Sequence, residues 1–311
     1  FLMKNIDAAA QNTVLPAASQ AATTESSSPG LFQPNAYETP TGNPFWSEEE
    51  TAFKSGMRYT VLIGGPVITF LYGAKTWDWG SNHDFWFGDE RWFQADTGAG
   101  GADKIGHCFA HYMVSRLGYS FFSYTEQTRE KAVLYSGLTA AMIGTMIEIG
   151  DGFTGRYGFS YEDLIADYVG VLFAMILDQY PVVDEFIGFT ATYVPSRAFR
   201  RYGDGTYLDF AGDYSGWKYM LNLKLAGLGY AGIRIPEFMR YVQFDFRYYT
   251  RGYTDYDHEN GDYTASRHFF YGISINMREV SRDIFTSNRK ASWLAEHPLQ
   301  YYHIPVGYQS S

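Results

Sequence analysis

The apolar pattern of this chain changes period once, near Pro181, and that change constrains the fold more than any other feature. Before it, apolar residues recur every three or four positions over long stretches. After it, they alternate with polar ones. In YVQFDFRYYT, Val242, Phe244, Phe246 and Tyr248 share one face, and Gln243, Asp245 and Arg247 the other. RHFFYGISINM sets Phe269, Tyr271, Ile273, Ile275 and Met277 against His268, Ser274 and Asn276, and GWKYMLNLKLAGL puts Trp217, Tyr219, Leu221, Leu223 and Leu225 on one side. Period two marks antiparallel strands. The expected fold class is α+β: a membrane-associated bundle of about four helices, followed by an antiparallel, aromatic-rich β-sheet. An eight-stranded membrane barrel needs strands of about 9 to 11 residues each. With only three to five candidates after Pro181, the sheet is not expected to be a complete barrel.

Four helical stretches precede the switch. The first, Glu48 to Tyr72, contains Gly64, Gly65 and Pro66, where a kink or break is expected. A second runs from Asp103 to Leu117 and a third from Glu130 to Ile149. The fourth starts after Ser160, whose spacing to Asp163 has the form of a capping box. Ahead of them, residues 7 to 44 are rich in Ala, Ser, Thr, Gln and Pro without periodicity, which predicts an extended or disordered arm. The expected division is therefore arm 1–44, helical domain 45–183, and β segment with C-terminal tail 184–311. The chain begins at Phe1 with no signal-peptide pattern, so prior removal of a leader is a further expectation.

A membrane span needs about 20 mainly apolar residues, and the third and fourth helices are interrupted at Glu148 and Asp167. The third also carries Gly137 four before Ala141 and Ala140 four before Gly144, spacings that let helices approach closely. We therefore expect helices that pack together and touch or partly enter a membrane, not four independent spans. The aromatic share of 19% fits a membrane interface, and equally an aromatic β core. A net charge of −10 with no Lys/Arg block argues against nucleic acid as a partner. Cys108 is the single cysteine, so an internal disulfide framework and a cysteine-based zinc cluster are both excluded.

Ionisable residues interrupt the apolar helices in a pattern. In GADKIGHCFAHYM, residues four apart drift only about 40° around a helix, so Asp103, His107 and His111 line one face, with Lys104 about a quarter turn away. Glu148 and Asp151 end the third helix; Asp163 and Asp167 share a face of the fourth. Five carboxylates facing one dry interior with only Lys104 would leave a charge of about −4, and one unpaired buried ion already costs several kcal/mol. Some must be protonated, face water, pair with Arg116 or Arg156, or bind a cation. The polar cluster Asp103, Lys104, His107, His111, Glu148, Asp151, Asp163 and Asp167 thus admits three uses. It is a network holding helices together, an acid–base site, or a divalent-metal site built from His107 (or His111), Glu148 and Asp167. HCFAH has Cys where a zincin motif has Glu, which removes the metalloprotease reading. TDYDHENGD, from Thr254, resembles a calcium loop but misplaces its glycine and has Ser266 where the bidentate Glu belongs, so a polar hairpin loop is expected. DTGAGGAD matches no phosphate-binding pattern and reads as a flexible helix entry; His83 reads as a loop hydrogen-bond partner.

ERWFQADTGAGGADKIGHCFAHY, IEIGDGF and FSYEDLIADYVG, in that order, resemble the predicted periplasmic lipoprotein family of unknown function typified by YfiM. The Asp-Lys-x-x-His element and the acidic helix are distantly similar to VanZ-type membrane proteins. The resemblance implies a bacterial cell-envelope protein on the periplasmic side, at the outer membrane, with Asp103, Lys104, His107, Glu148, Asp151 and Asp167 as motif positions. It implies no reaction, and the chain has no N-terminal lipid-accepting cysteine. Two functions follow: a structural or accessory subunit of an envelope complex, with membrane lipid and a protein as partners, or a membrane-associated, metal-dependent enzyme acting on an envelope lipid or glycan. Transport is the weaker third, because continuous spans are missing.

Overall fold

The computed structural model describes residues 30–32, 51–126, 128–202, 210–254, 257, 264–304 and 307–310. Four long helices come first: α1 (Ala52–Thr76), α2 (Ala102–Thr125), α3 (Arg129–Asp151) and α4 (Tyr161–Gln179). After the short α5 (Pro181–Asp184) come β1 (Ile187–Tyr193), α6 (Arg197–Tyr202), β2 (Trp217–Lys224), α7 (Ala226–Tyr230), β3 (Val242–Arg251) and β4 (Ser266–Ile275). The chain ends with α8 (Met277–Ile284), α9 (Arg289–Leu299) and β5 (Gly307–Ser310). This is the expected α+β architecture.

The helix boundaries follow local chemistry. Thr51 caps α1 by accepting from the Lys54 amide at 3.2 Å, and Ser160 caps α4 by accepting from the Asp163 amide at 3.2 Å. The capping box at Ser160 is only half as predicted. Its reciprocal bond, to the Ser160 amide, comes from Glu148 on α3 at 3.1 Å, which frees Asp163 for another partner. The break expected in the first helix is absent: α1 runs through Pro66. Pro66 is buried, and Gly65 lies against Thr139 of α3, so packing on α3 holds the turn that proline would otherwise open. Likewise α2 continues past Leu117, because Gly118 lets Ser136 of α3 sit against its backbone.

At the centre, α2 packs on α4 and α3, and α1 packs on α3. Gly170 sets the α2–α4 distance, since a Cβ there would run into the carbonyl oxygen of Cys108. Phe109, Tyr112, Ala174 and Leu177 from the helices meet Phe189, Ala191 and Tyr219 from β1 and β2 in one apolar cluster; Tyr119, Phe122, Ala132 and Val133 form a second between α2 and α3.

The sheet is open and antiparallel, in the order β1–β2–β3–β4–β5. Its register aligns Leu221, Phe246 and Tyr271 across one row and Leu223, Phe244 and Ile273 across the next. At the free edge of β1, the Ala191 amide donates to the Tyr301 carbonyl at 2.7 Å and the Ala191 carbonyl accepts from His303 at 3.1 Å.

The two faces of the sheet have unexpected surroundings. The polar face is buried: Thr190 donates to Asn222 (2.8 Å), and Asn222 and Gln243 both donate to Asp245 (2.7 and 2.8 Å). Asn222 is 2% exposed, whereas Tyr271, on the apolar face, is 64% exposed. The apolar face meets the helices at β1, β2 and the Tyr248 end of β3, and is exposed at Phe244, Phe246, Phe269, Tyr271 and Ile273. Beyond the sheet, within the segment read as an arm, Phe32 is buried and its amide donates to Ile235 at 2.9 Å; residues 1–29 and 33–44 lie outside those described.

Candidate functional site

Three helices bring the predicted polar residues together. Lys104, near the start of α2, is buried, and its amine donates to Asp103 (2.9 Å), to Asp163 of α4 (2.7 Å) and to Glu90. One turn on, His107 keeps a quarter of its side chain open to solvent. Its Nδ1 lies 3.0 Å from Asp167 Oδ1 and 3.8 Å from Glu148 Oε1, and its Nε2 lies 3.8 Å from Asp103 Oδ1 and 3.9 Å from Asp163 Oδ1. His111, one further turn along, places Nδ1 2.6 Å from the same Asp167 Oδ1 and 3.2 Å from the His107 carbonyl oxygen. Two imidazoles therefore share one carboxylate oxygen.

Gly144 makes this convergence feasible. A Cβ at that position would stand 2.7 Å from Asp167 Oδ2 and 2.9 Å from His111 Nε2, so any side chain there would displace the cluster. The small-residue spacing read from the sequence thus serves the polar site as well as helix packing. Two buried oxygens, Glu148 Oε1 and Asp167 Oδ2, have no hydrogen-bond partner among the described residues.

The charge problem posed by the sequence is solved within the cluster. Burial pushes Glu148 up to about 9, and burial with the neighbouring Asp103 pushes Glu90 up to about 8, so both are protonated at neutral pH. Burial opposes the charged forms of Lys104 and His107 too, but the surrounding carboxylates outweigh it and hold both above their ordinary values. For Asp103, His107 and Lys104 likewise outweigh burial and hold the carboxyl below the usual range.

Other expectations resolve differently. Arg116 does not reach the cluster; it pairs with Asp178 (2.9 Å) and Asp184 (3.1 Å) at the far end of α4. Arg156 lies over the Tyr157 ring at 5.2 Å. Asp151 sits at the margin of the cluster, where it accepts from Trp79 Nε1 at 2.8 Å; burial raises it to about 6. Burial also pushes the Cys108 thiol up to about 12, which keeps it protonated beside the two histidines. In the calcium-like loop, Asp257 accepts from Ser215 (2.8 Å) and from the Thr254 amide (3.1 Å); residues 255, 256 and 258–263 lie outside those described.

Two partners escaped the sequence reading. Glu90 lies in an aperiodic loop, and Tyr214, which donates to Asp103 at 2.8 Å, is 111 positions away. Neither has a spacing relation to the helical motif. Also missed is a second ionic network, in which Arg278 and Arg282 enclose Glu185 and tie α8 to the chain between α4 and β1.

Beside the cluster, a groove of about 550 Å³ opens between α2, α4 and the apolar face of the sheet. Ile105, Cys108, Val169, Phe189 and Leu221 are among its walls, and Lys104 is the one charged residue lining it.

No curated protein and no solved structure matches the chain. Residues 89–179 match the model of a family described as predicted periplasmic lipoprotein (DUF2279), an interval that runs from beside Glu90 to the end of α4 and includes every helical residue of the cluster. The segment carrying the polar cluster is thus similar to this family, which is described as periplasmic and has no known function.

Proposed function

We propose that this chain is a lipid-contacting accessory protein of the outer membrane, lying on its periplasmic side with the apolar outer surface against acyl chains. The observation that carries this reading is the inverted sheet. Gln243, Asp245, Asn222 and Lys224 are buried, while Phe244, Phe246, Phe269, Tyr271 and Ile273 face outward. Polar-in, apolar-out alternation is the pattern of strands that meet lipid; a sheet facing water has the reverse.

The helices continue the same surface. Ile63, Ile68 and Leu71 of α1, Leu134 and Leu138 of α3, and Val169 and Leu172 of α4 are all exposed. No charged residue occurs from 59 to 74 or from 132 to 147. By length and composition α3 is sufficient to cross a membrane, and it packs here against α1, α2 and α4. Large exposed apolar patches mark surfaces that meet membrane or partner.

A second reading, an enzyme acting on an envelope lipid, is favoured by one observation: Lys104 lines the apolar groove and also belongs to the cluster. The groove falls in the size range of small-molecule sites, and an acyl chain along its walls would bring a headgroup toward Lys104. Reconstitution into vesicles of acyl-chain-brominated phospholipid tests the first reading. Strong tryptophan quenching with retained secondary structure supports it; a stable, unquenched monomer in detergent-free buffer would count against it.

A further inference from the structure

The geometry points to a site for one divalent first-row transition-metal ion, of zinc type, held by His107, His111, Glu148 and Asp167 at the junction of α2, α3 and α4. This inference is independent of lipid contact, and it adds His111 to the three candidate ligands suggested by the sequence.

Three donor atoms already converge. His107 Nδ1 and His111 Nδ1 stand 3.0 and 2.6 Å from Asp167 Oδ1, and the three residues place one ligand atom each within 4.8 Å of one another. Glu148 Oε1, the fourth donor, stands 3.8 Å from His107 Nδ1 and must turn toward the other two. Tetrahedral ligands bound at zinc distances lie about 3.3 Å from one another, so the separations seen straddle the value a bound ion imposes. Binding would require His111 to release its contact to the His107 carbonyl and Glu148 to move toward the other three donors.

Two further observations point to a ligand. Glu148 is 1% exposed, and its Oε1 has no hydrogen-bond partner among the described residues, although its other oxygen is fixed by the Ser160 amide. A buried carboxyl oxygen without a partner is costly, and a cation among these four residues, taking the place of the Glu148 proton, satisfies it. Behind His107, the Asp103 and Asp163 carboxylates stand 3.8 and 3.9 Å from Nε2, beyond hydrogen-bond distance but on the side from which a carboxylate orients a metal-bound imidazole. Two imidazoles with two carboxylates suit zinc, iron(II) or manganese(II) and disfavour the oxygen-seeking calcium and magnesium.

The test uses the full chain, stripped with chelator in mild detergent and titrated with Zn²⁺ by calorimetry, with Mn²⁺ and Ca²⁺ in parallel. The expected result is one Zn²⁺ per chain, and a Glu148→Gln variant that binds at least about tenfold more weakly. His83→Gln, which alters an exposed histidine outside the four donors, is expected to bind as the wild type does. X-ray absorption of the zinc-loaded wild type is expected to show two imidazoles among nitrogen and oxygen ligands only, a readout that needs no variant to fold. Absence of stoichiometric binding, a zinc with no imidazole, or equal affinity in a folded Glu148→Gln protein would each overturn the assignment.

Discussion

Placing a cation on the outward face of β4 separates the lipid reading from its aqueous alternative by a calculable margin. Ile273 sits in the middle of an uncharged row with Phe244 and Leu223 and is 51% exposed. If that face meets water, Ile273→Arg loses about half the burial of one aliphatic side chain, roughly 1 kcal/mol. Facing acyl chains, the same substitution costs more the deeper the face lies, up to about 2 to 4 kcal/mol at full depth, equivalent there to a fall of roughly 30- to 1000-fold in membrane partitioning. Ile273→Ser loses similar burial without adding a charge, and it isolates the electrostatic part. The assay is vesicle flotation, with unfolding in detergent-free buffer as the companion measurement. Equal partitioning of wild type and Ile273→Arg, with a loss of stability of 1 kcal/mol or less, would refute the reasoning.

Two other perturbations probe the interior. Lys104→Met removes the amine that serves Glu90, Asp103 and Asp163 and leaves buried carboxylates unpaired, so a loss of about 3 to 5 kcal/mol is expected from denaturant unfolding; a loss under 1 kcal/mol would mean the cluster relaxes freely. Glu185 tests the second network: burial raises its carboxyl, but Arg278 and Arg282 outweigh that and hold it at about 2, below its ordinary 4.5. Because its folded value is the lower one, the stabilisation is complete above about pH 4.5 and is lost as pH falls from there to about 2, by about 3 kcal/mol. Glu185→Gln should flatten that limb of the stability–pH curve, and an unchanged limb would show that Glu185 does not cause it.

How much of this was legible in the sequence depended on whether the signal was local. Helical spacing placed Asp103, His107 and His111 on one face, and the cap at Ser160 marked the start of α4, because both follow from intervals of three and four residues. Alternation identified β2, β3 and β4. It did not reveal which face would be buried, since period two distinguishes the faces and says nothing about what lies against either. Pro66 misled because its cost is offset by packing on α3, a contact between positions far apart in sequence. Glu90 and Tyr214 reach the cluster from loops, and Arg116, one of two arginines offered as partners for the cluster, pairs instead with Asp178 and Asp184, which the spacing along its own helix could not show. The site's three helical stripes were readable; their mutual registry depended on close approaches at Gly144 and Gly170.

The central claim, that this protein turns its apolar sheet face to lipid and its polar face inward, is tested most directly by thiol accessibility. Cys108 is replaced by Ala, and single cysteines are introduced as Tyr271→Cys on the outward face and Ser196→Cys beside the loop carboxylate Asp213. Native membranes are then treated with a membrane-impermeant maleimide after the periplasmic side has been opened. The account predicts that Tyr271→Cys stays unlabelled in membranes and becomes labelled once detergent and denaturant are added, although Tyr271 is among the more exposed residues of the chain. Rapid labelling of Tyr271→Cys in intact membranes, at the rate of an unfolded control, would contradict it.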